Sequence, residues 1–324
     1  MFHTYNKNLL ATFDILTQDL IRENSHFSQL ATDIFLWRNH PADQRPYDLV
    51  INVCTHGNEV IGLCIANHLL NAIKHHQIKS SLNVVFSLAN RQAVLENKRF
   101  ITKDLNRSFG KNILPDSQGQ LSYEERRAKE LELIAQNSQA ILDIHQTTSD
   151  SLSPFFVFKE FAYNFNFFEA LNIGIYPIIL YKEGKFSKDG DAYSTFAMQN
   201  SIPFLTIELG LAGANAPIEN YVTTKIQELL SGCDHKQWRT LLHEKLWNKP
   251  SVPCYQEYKN IERFTDDDFL IEGLKNLSLI EKNTIFAYQQ AKALSEDIDL
   301  YALFPKYGVF RKTSSELVRL LKKI

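Results

Sequence analysis

The stretch Val53-Cys54-Thr55-His56-Gly57-Asn58-Glu59 closes the largely apolar run Leu49 to Val53 and opens the amphipathic run after Val60. A short apolar run, a turn and then a helical pattern read as a strand feeding a helix, which puts His56 and Glu59 at the strand's C-terminal end. Open α/β sheets keep their sites at that edge. The two side chains are three residues apart, so if Glu59 lies in the first helical turn an imidazole and a carboxylate converge on one point. One zinc ion could take both. Catalytic zinc uses three protein ligands, His₂Glu among the recurring sets, so a third ligand is required. Taken alone, the pair reads more simply as a capping Glu beside a turn His.

The 324 residues, 44% hydrophobic and 22% charged, describe an ordinary globular protein long enough for two domains. A net charge of -2, with no Lys/Arg run and no aromatic-basic interleaving, argues against a nucleic-acid partner. Met1 to Leu20 lacks the basic start, apolar core and cleavage site of a signal peptide, and no run approaches the ~18 apolar residues of a membrane span. The expectation is a cytoplasmic protein with no membrane association. Cys54, Cys64, Cys233 and Cys254 form no Cys-x-x-Cys pair, which argues against a disulfide framework and a thiolate zinc site. Cys54 is a candidate nucleophile, but inside a strand it reads more simply as a small buried apolar residue.

Upstream, Asn8 to Arg22 carries apolar residues at near-helical spacing, and Asn39 to Tyr47 is a loop with Pro41 and Pro46. Downstream of Glu59, Ile61, Cys64, Ile65, Leu69, Leu70 and Ile73 form a helical stripe, ended by Lys74, His75 and His76, which suit the last turn as a cap. Asn83 to Ala89 is a second strand and Asn90 to Phe109 a polar, non-helical segment. Tyr123 to Gln139 is a helix, and Ile141 to Ile144 a third strand ending at His145. The strands Phe155 to Phe158 and Tyr176 to Tyr181 flank a helix over Phe161 to Leu171. Helical Asp189 to Gln199 precedes the buried strand Pro203 to Ile207, which ends at Glu208.

Strands alternating with helices predict an α/β fold with a mostly parallel, doubly wound sheet. His56, His145 and Glu208 then all fall at strand C-terminal ends, which a core His or a surface Glu would have no reason to do. After helical runs over Pro217 to Leu230 and His235 to Leu246, the texture changes at Asn248-Lys249-Pro250 to short strand-like pieces, such as Asp268 to Ile271, Leu277 to Ile280 and Asp299 to Phe304. The expected organisation is a catalytic α/β domain over residues 1–247, with an N-terminal helical extension over 1–45, and a small β-rich domain over 248–324.

These motifs, His56-Gly57-Asn58-Glu59, Arg99, Asp104-Leu105-Asn106-Arg107, Asp143-Ile144-His145 and Ile207-Glu208-Leu209-Gly210, resemble in this order the aspartoacylase and succinylglutamate desuccinylase family of zinc carboxypeptidase-like enzymes. The resemblance covers roughly residues 48 to 232. It implies a zinc-carboxypeptidase-like core, one Zn²⁺ per chain on His56, Glu59 and His145, and hydrolysis of an N-acyl amino acid to carboxylate and free amino acid. Zinc lowers the pKa of water to about 7. Arg99 and zinc are then the candidates to hold the oxyanion, Glu208 the group that moves the proton, and Asn106 with Arg107 the pair that holds a substrate carboxylate.

The tail Gln146-Thr147-Thr148-Ser149 leans toward the aspartoacylase branch, so N-acetyl-aspartate-like substrates come ahead of N-succinyl-glutamate. Members of both branches carry an arginine ten residues before the catalytic glutamate, for a second substrate carboxylate; here that position is Met198. Either Lys182, Lys185 or Lys188 supplies the charge or the amino acid is not acidic. The resemblance also implies a pocket tyrosine from the C-terminal part, for which Tyr301 and Tyr307 are candidates and neither is preferred. The other readings are a succinylglutamate desuccinylase, a zinc carboxypeptidase on a peptide-like substrate, and a non-enzymatic metal-binding protein, which would need neither Glu208 nor Arg99.

Overall fold

Runs of β-branched and aromatic residues form the frame of the fold. The structure, a computed structural model, describes residues 2–39, 43, 45–110, 120–181, 192–243, 251–307 and 316–324. Its strands are β1 (Phe27–Ala31), β2 (Ile34–Trp37), β3 (Leu49–Val53), β4 (Val84–Leu88), β5 (Ile141–Thr147), β6 (Phe155–Lys159), β7 (Ile178–Tyr181), β8 (Phe204–Leu211) and β9 (Cys254–Glu262). There follow β10 (Phe269–Leu270), β11 (Leu279–Ile280), β12 (Ala287–Gln289), β13 (Lys292–Leu294), β14 (Leu300–Leu303) and β15 (Glu316–Lys323). The helices are α1 (Phe2–Glu23), α2 (Ile61–Lys74), α3 (Arg91–Glu96), α4 (Tyr123–Gln136), α5 (Ala162–Leu171), α6 (Tyr193–Gln199), α7 (Ala216–Gly232) and α8 (His235–His243). None of the described helices is long and apolar enough to cross a membrane.

Twelve strands form one sheet in the order β1-β2-β4-β3-β5-β8-β6-β7-β9-β15-β14-β11, and β10-β12-β13 form a small second sheet. From β4 to β9 the pairing is parallel except where β6 runs against β8. Alternation along the strands explains why this sheet is buried on both faces. Leu49, Ile51, Val53, Val84, Phe86, Leu142 and Ile144 enter a core with α1, α2, α5, α7 and α8, whereas Val50, Val85 and Ile141 enter another with α4 and α6. The expected α/β, mostly parallel, doubly wound architecture is therefore present, with additional β structure at the C-terminal end.

Several elements differ from the sequence reading, and β5 and β8 run on to Thr147 and Leu211, beyond the ends expected at Ile144 and Ile207. The first 45 residues hold not only α1 but the β1–β2 hairpin, which adds antiparallel to β4. The segment Asn90 to Phe109 contains a short helix, α3, and a 3₁₀ turn over Leu105–Arg107. Helix α1 has no acidic first turn and is held instead by Leu10, Phe13, Leu16 and Leu20, all buried, each worth roughly 1.5–3 kcal/mol.

Candidate active site

Toward the C-terminal ends of β3, β5 and β8, four buried polar side chains meet. His145 stands on β5 with Glu208 directly across the ladder on β8. The next residues are out of step, because β8 fits one residue more than β5 between His145 and Thr147. Gly210 sits in that bulge at φ 86, a conformation that only glycine adopts without strain, which is the backbone reason for the Glu208-Leu209-Gly210 sequence.

His56 and Glu59 follow β3. Glu59 lies in a turn ahead of α2 rather than in its first helical turn, its N–H donating to the His56 carbonyl at 3.1 Å. The turn is crowded: a Cβ on Gly57 would come within 2.1 Å of the Ala93 carbonyl carbon. Cys54 begins the turn at φ 56 and is fully buried; burial pushes its thiol up, which fits the small-apolar reading and not the nucleophile.

The three expected ligands converge. His56 Nδ1 lies 2.8 Å from Glu59 Oε1, His145 Nδ1 lies 2.8 Å from Glu59 Oε2, and one ligand atom from each lies within 4.8 Å of the others. The remaining ring nitrogens are anchored on carboxylates, His145 Nε2 on Asp143 at 2.7 Å and His56 Nε2 on Asp104 at 3.1 Å. Asp143 is itself held by Asn52 Nδ2 at 2.7 Å and the Thr55 hydroxyl at 3.0 Å.

A carboxylate behind each imidazole accepts a hydrogen bond from Nε2–H, which leaves the Nδ1 lone pair facing Glu59, where only a proton or a cation relieves the repulsion. The His₂Glu donor set, its burial and its anchoring fit a divalent zinc. Burial opposes charge on Glu59, but the facing imidazoles His56 and His145 hold its carboxyl well below the usual range. Burial likewise opposes protonation of His145, and Asp143 and Glu59 outweigh it, raising His145 well above the usual range.

Glu208 is buried, and its Oε2 has no hydrogen-bond partner among the described residues. Burial pushes its carboxyl up to about 7; the nearby His145 opposes the shift and Glu59 adds to it. Arg99 reaches Glu59 with Nη1 at 3.3 Å and Asp104 with Nη2 at 3.3 Å. Its loop is held at both ends. The Arg99 carbonyl accepts from Gly57 N–H at 3.1 Å, and the buried Glu124 carboxylate accepts from the N–H groups of Ile101, Thr102 and Lys103 at 2.7, 3.2 and 3.3 Å. Asn106 commits its carbonyl to the Tyr193 N–H at 2.9 Å, so only its NH₂ can serve a ligand.

A cavity of about 370 Å³ gathers all seven residues expected from the sequence: His56, Glu59, Arg99, Asn106, Arg107, His145 and Glu208. Val157, Tyr181, Phe304, Lys306, Glu316 and Arg319 also line it, and the sequence reading missed them. Met198 does not line it; its sulfur lies 3.5 Å from Asn164 Nδ2. Lys182, Lys185 and Lys188 lie outside the described residues. Of the two candidate tyrosines, Tyr301 packs on Tyr255, and Tyr307 donates to the Leu274 carbonyl at 2.9 Å; neither lines the cavity.

Comparison with known proteins gives the same direction. Residues 47–231 match the model of the succinylglutamate desuccinylase/aspartoacylase catalytic domain. The N-acyl-aromatic-L-amino acid amidohydrolase (carboxylate-forming) of Xenopus tropicalis is 39% identical over 110 residues, which are 32% of this chain and 35% of that protein. The chain thus spans about a third of the length of the first curated relatives it matches. Succinylglutamate desuccinylase of Pseudoalteromonas atlantica is 25% identical over 285 residues, 81% of this chain and 77% of that one. The crystal structure of succinylglutamate desuccinylase from Vibrio cholerae superposes with a TM-score of 0.70 at 16% identity, over 90% of this chain and 85% of that one, and shows a shared fold.

Proposed function

Given that this chain belongs to the succinylglutamate desuccinylase/aspartoacylase family, we propose that it hydrolyses the amide bond of an N-acyl amino acid, releasing a carboxylate and the free amino acid. The observation that carries this reading is the meeting of the His56–Glu59–His145 donor set with a buried, unpartnered Glu208 oxygen in one cavity. A zinc ion held by the three ligands supplies Lewis-acid activation of water and of the amide carbonyl at neutral pH.

The chain's own groups supply the rest. Glu208 takes a proton from the attacking water at Oε2 and returns it to the leaving nitrogen, since an amine leaves only when protonated. A carboxyl raised toward neutrality suits both halves of that transfer. The Arg99 guanidinium faces the developing oxyanion, a donor whose loss typically costs roughly 3–4 kcal/mol. Asp104 bridges Arg99 and His56, so the oxyanion donor and a metal ligand are oriented by one carboxylate. Arg107 and the Asn106 NH₂ fix the substrate carboxylate.

The test is amine release from a panel of N-acyl amino acids by zinc-loaded protein, with Glu208→Gln alongside. The panel should contain a substrate, and the variant should keep its zinc while turnover falls by roughly 10²–10⁴. Near-normal turnover in Glu208→Gln would assign the proton transfer to another group.

A further inference from the structure

The segment that carries Arg99 and Asp104 into the site has no apolar anchor of its own. From Glu96 to Asp104 no side chain is buried, and from Asn97 to Asp104 the backbone belongs to neither helix nor strand. A chain so exposed should sample many conformations, because ordering each residue costs backbone entropy that apolar burial does not return. Yet Arg99 Nη2 meets Asp104 Oδ2 at 3.3 Å, and Asp104 Oδ1 meets His56 Nε2 at 3.1 Å. The bond from Gly57 N–H ties the Arg99 carbonyl, and the Lys103 ammonium pairs with Glu125 through its side chain. Neither fixes the backbone of residues 101–104.

Between Arg99 and Asp104 the backbone turns three consecutive N–H groups onto one carboxylate. Glu124 Oε1 accepts from Ile101 at 2.7 Å, and Oε2 accepts from Thr102 at 3.2 Å and from Lys103 at 3.3 Å. Asn90 Nδ2, whose own Oδ1 caps α3, lies 3.5 Å from Oε1. Glu124 is fully buried in the first turn of α4, where the helix end favours an anion. A buried carboxylate stripped of its donors is costly, so the Glu124 charge and the loop's conformation each require the other. Resting on the deacylase reading above, we propose that Glu124 is a positioning residue of the hydrolytic site: by fixing residues 101–103 it sets where Arg99 meets the oxyanion and how Asp104 orients His56.

Glu124 does not line the cavity, so it acts only through the loop. The groups just beyond the loop are held separately: Leu105 and Phe109 are buried, and Asn106 Oδ1 accepts from the Tyr193 N–H at 2.9 Å. Loss of Glu124 therefore loosens the oxyanion donor while Asn106 and Arg107 keep their place. An interaction made only in the transition state shows in kcat, and an unaltered binding pair leaves KM alone.

The experiment compares the full chain with three variants: Glu124→Leu; Glu124→Gln, which keeps one acceptor oxygen at the same reach; and Ser122→Ala, which removes the cap of α4 but no bond to the loop. Amide hydrogen exchange over residues 99–104, Tm, zinc affinity by calorimetry, and kcat and KM at saturating zinc on the best N-acyl amino acid of the panel are measured. In the wild type the amides of residues 101–103 should exchange slowly although none of their side chains is buried. Glu124→Leu should speed that exchange by roughly tenfold or more. It should lower kcat by about 10²-fold with KM within about twofold, and weaken zinc by roughly tenfold. Glu124→Gln should fall between wild type and Glu124→Leu, and Ser122→Ala should lower Tm without changing exchange or kcat. A folded Glu124→Leu with wild-type exchange and kcat overturns the proposal, as does a loss that appears in KM alone or that Ser122→Ala reproduces. If Glu124→Leu does not fold, Glu124→Gln decides by the same measures. If the wild type hydrolyses none of the amides the deacylase reading fails by itself, and the exchange and zinc measurements still decide whether Glu124 fixes the loop.

Discussion

Replacing Gly57 by alanine should damage the site. The added Cβ would lie 2.1 Å from the Ala93 carbonyl carbon, 2.3 Å from the Val94 nitrogen and 2.5 Å from Ala93 Cβ. Two of those atoms are backbone of α3, which cannot rotate away. Since ordinary contact begins at 3.4 Å, the turn and α3 must part by roughly 1 Å. Overpacking of this kind costs ~1–3 kcal/mol, and in a chain of this size that lowers Tm by roughly 2–10 °C.

The functional cost is larger, because the displaced turn carries His56 and Glu59 on either side of residue 57. A misplacement of ~1 Å in a reacting constellation costs about 10²-fold in turnover. Gly62→Ala is the control. Its Cβ would meet Val53 Cβ at 3.0 Å and Ile144 Cβ at 3.3 Å, so β3 and β5 need give by only a few tenths of an ångström, while alanine favours the helix by ~1 kcal/mol. Thermal melting, zinc content by elemental analysis and turnover are measured on both variants. A Gly57→Ala protein with unchanged Tm, zinc content and turnover would refute the steric account of the motif's glycine.

Two further outcomes are expected. His145→Ala should lose bound zinc and activity together, because it removes one of three ligands and leaves Asp143 without its imidazole; a full zinc complement in that variant would contradict the ligand set. Burial opposes charge on Asp268, but the N–H groups of Gln290, Phe264 and Thr265 hold its carboxyl down at about 2. A depressed carboxyl contributes stability that is fully present above its unfolded value near 4 and is lost as pH falls through 2. The gap in Tm between wild type and Asp268→Asn should therefore narrow between about pH 4 and pH 2, and a constant gap would show that these bonds do not favour the charged form.

Local pattern carried most of the frame. The runs at β3 and β4 and the opening residues of β5 and β8 are largely apolar because both sheet faces are covered. His56, His145 and Glu208 could therefore be placed toward the strands' C-terminal edge from sequence, although β5 and β8 run on past His145 and Glu208 to Thr147 and Leu211. The hairpin was hidden because Phe27-Ser28-Gln29-Leu30-Ala31 is mixed in character and its turn uses Asp33 at φ 58 instead of a glycine. Helix α3, six residues long, is too short to show a period. Glu124 was invisible for another reason. It sits in an ordinary helix start, where Glu125 completes the capping box with Ser122, and only the fold brings its carboxylate to the loop behind Arg99. Lys306, Glu316 and Arg319 carry no motif at all; they reach the cavity because the last strands rejoin the main sheet.

That rejoining also bears on how the protein keeps from aggregating. Ile178 to Tyr181 in β7 is a wholly buried apolar strand with β6 on one side and β9 on the other. The family-matched stretch ends at residue 231, before β9 begins. A fragment cut there would present β7 as a naked edge, with unpaired amides beside Ile178, Ile179 and Leu180, which is a template for strand addition by another chain. The intact chain moves that edge outward across β9, β15 and β14 to the two-residue β11, while the β1–β2 hairpin covers β4 in the opposite direction. Strands that bring no ligand to the candidate metal site thus guard the sheet that holds it against association with its own kind.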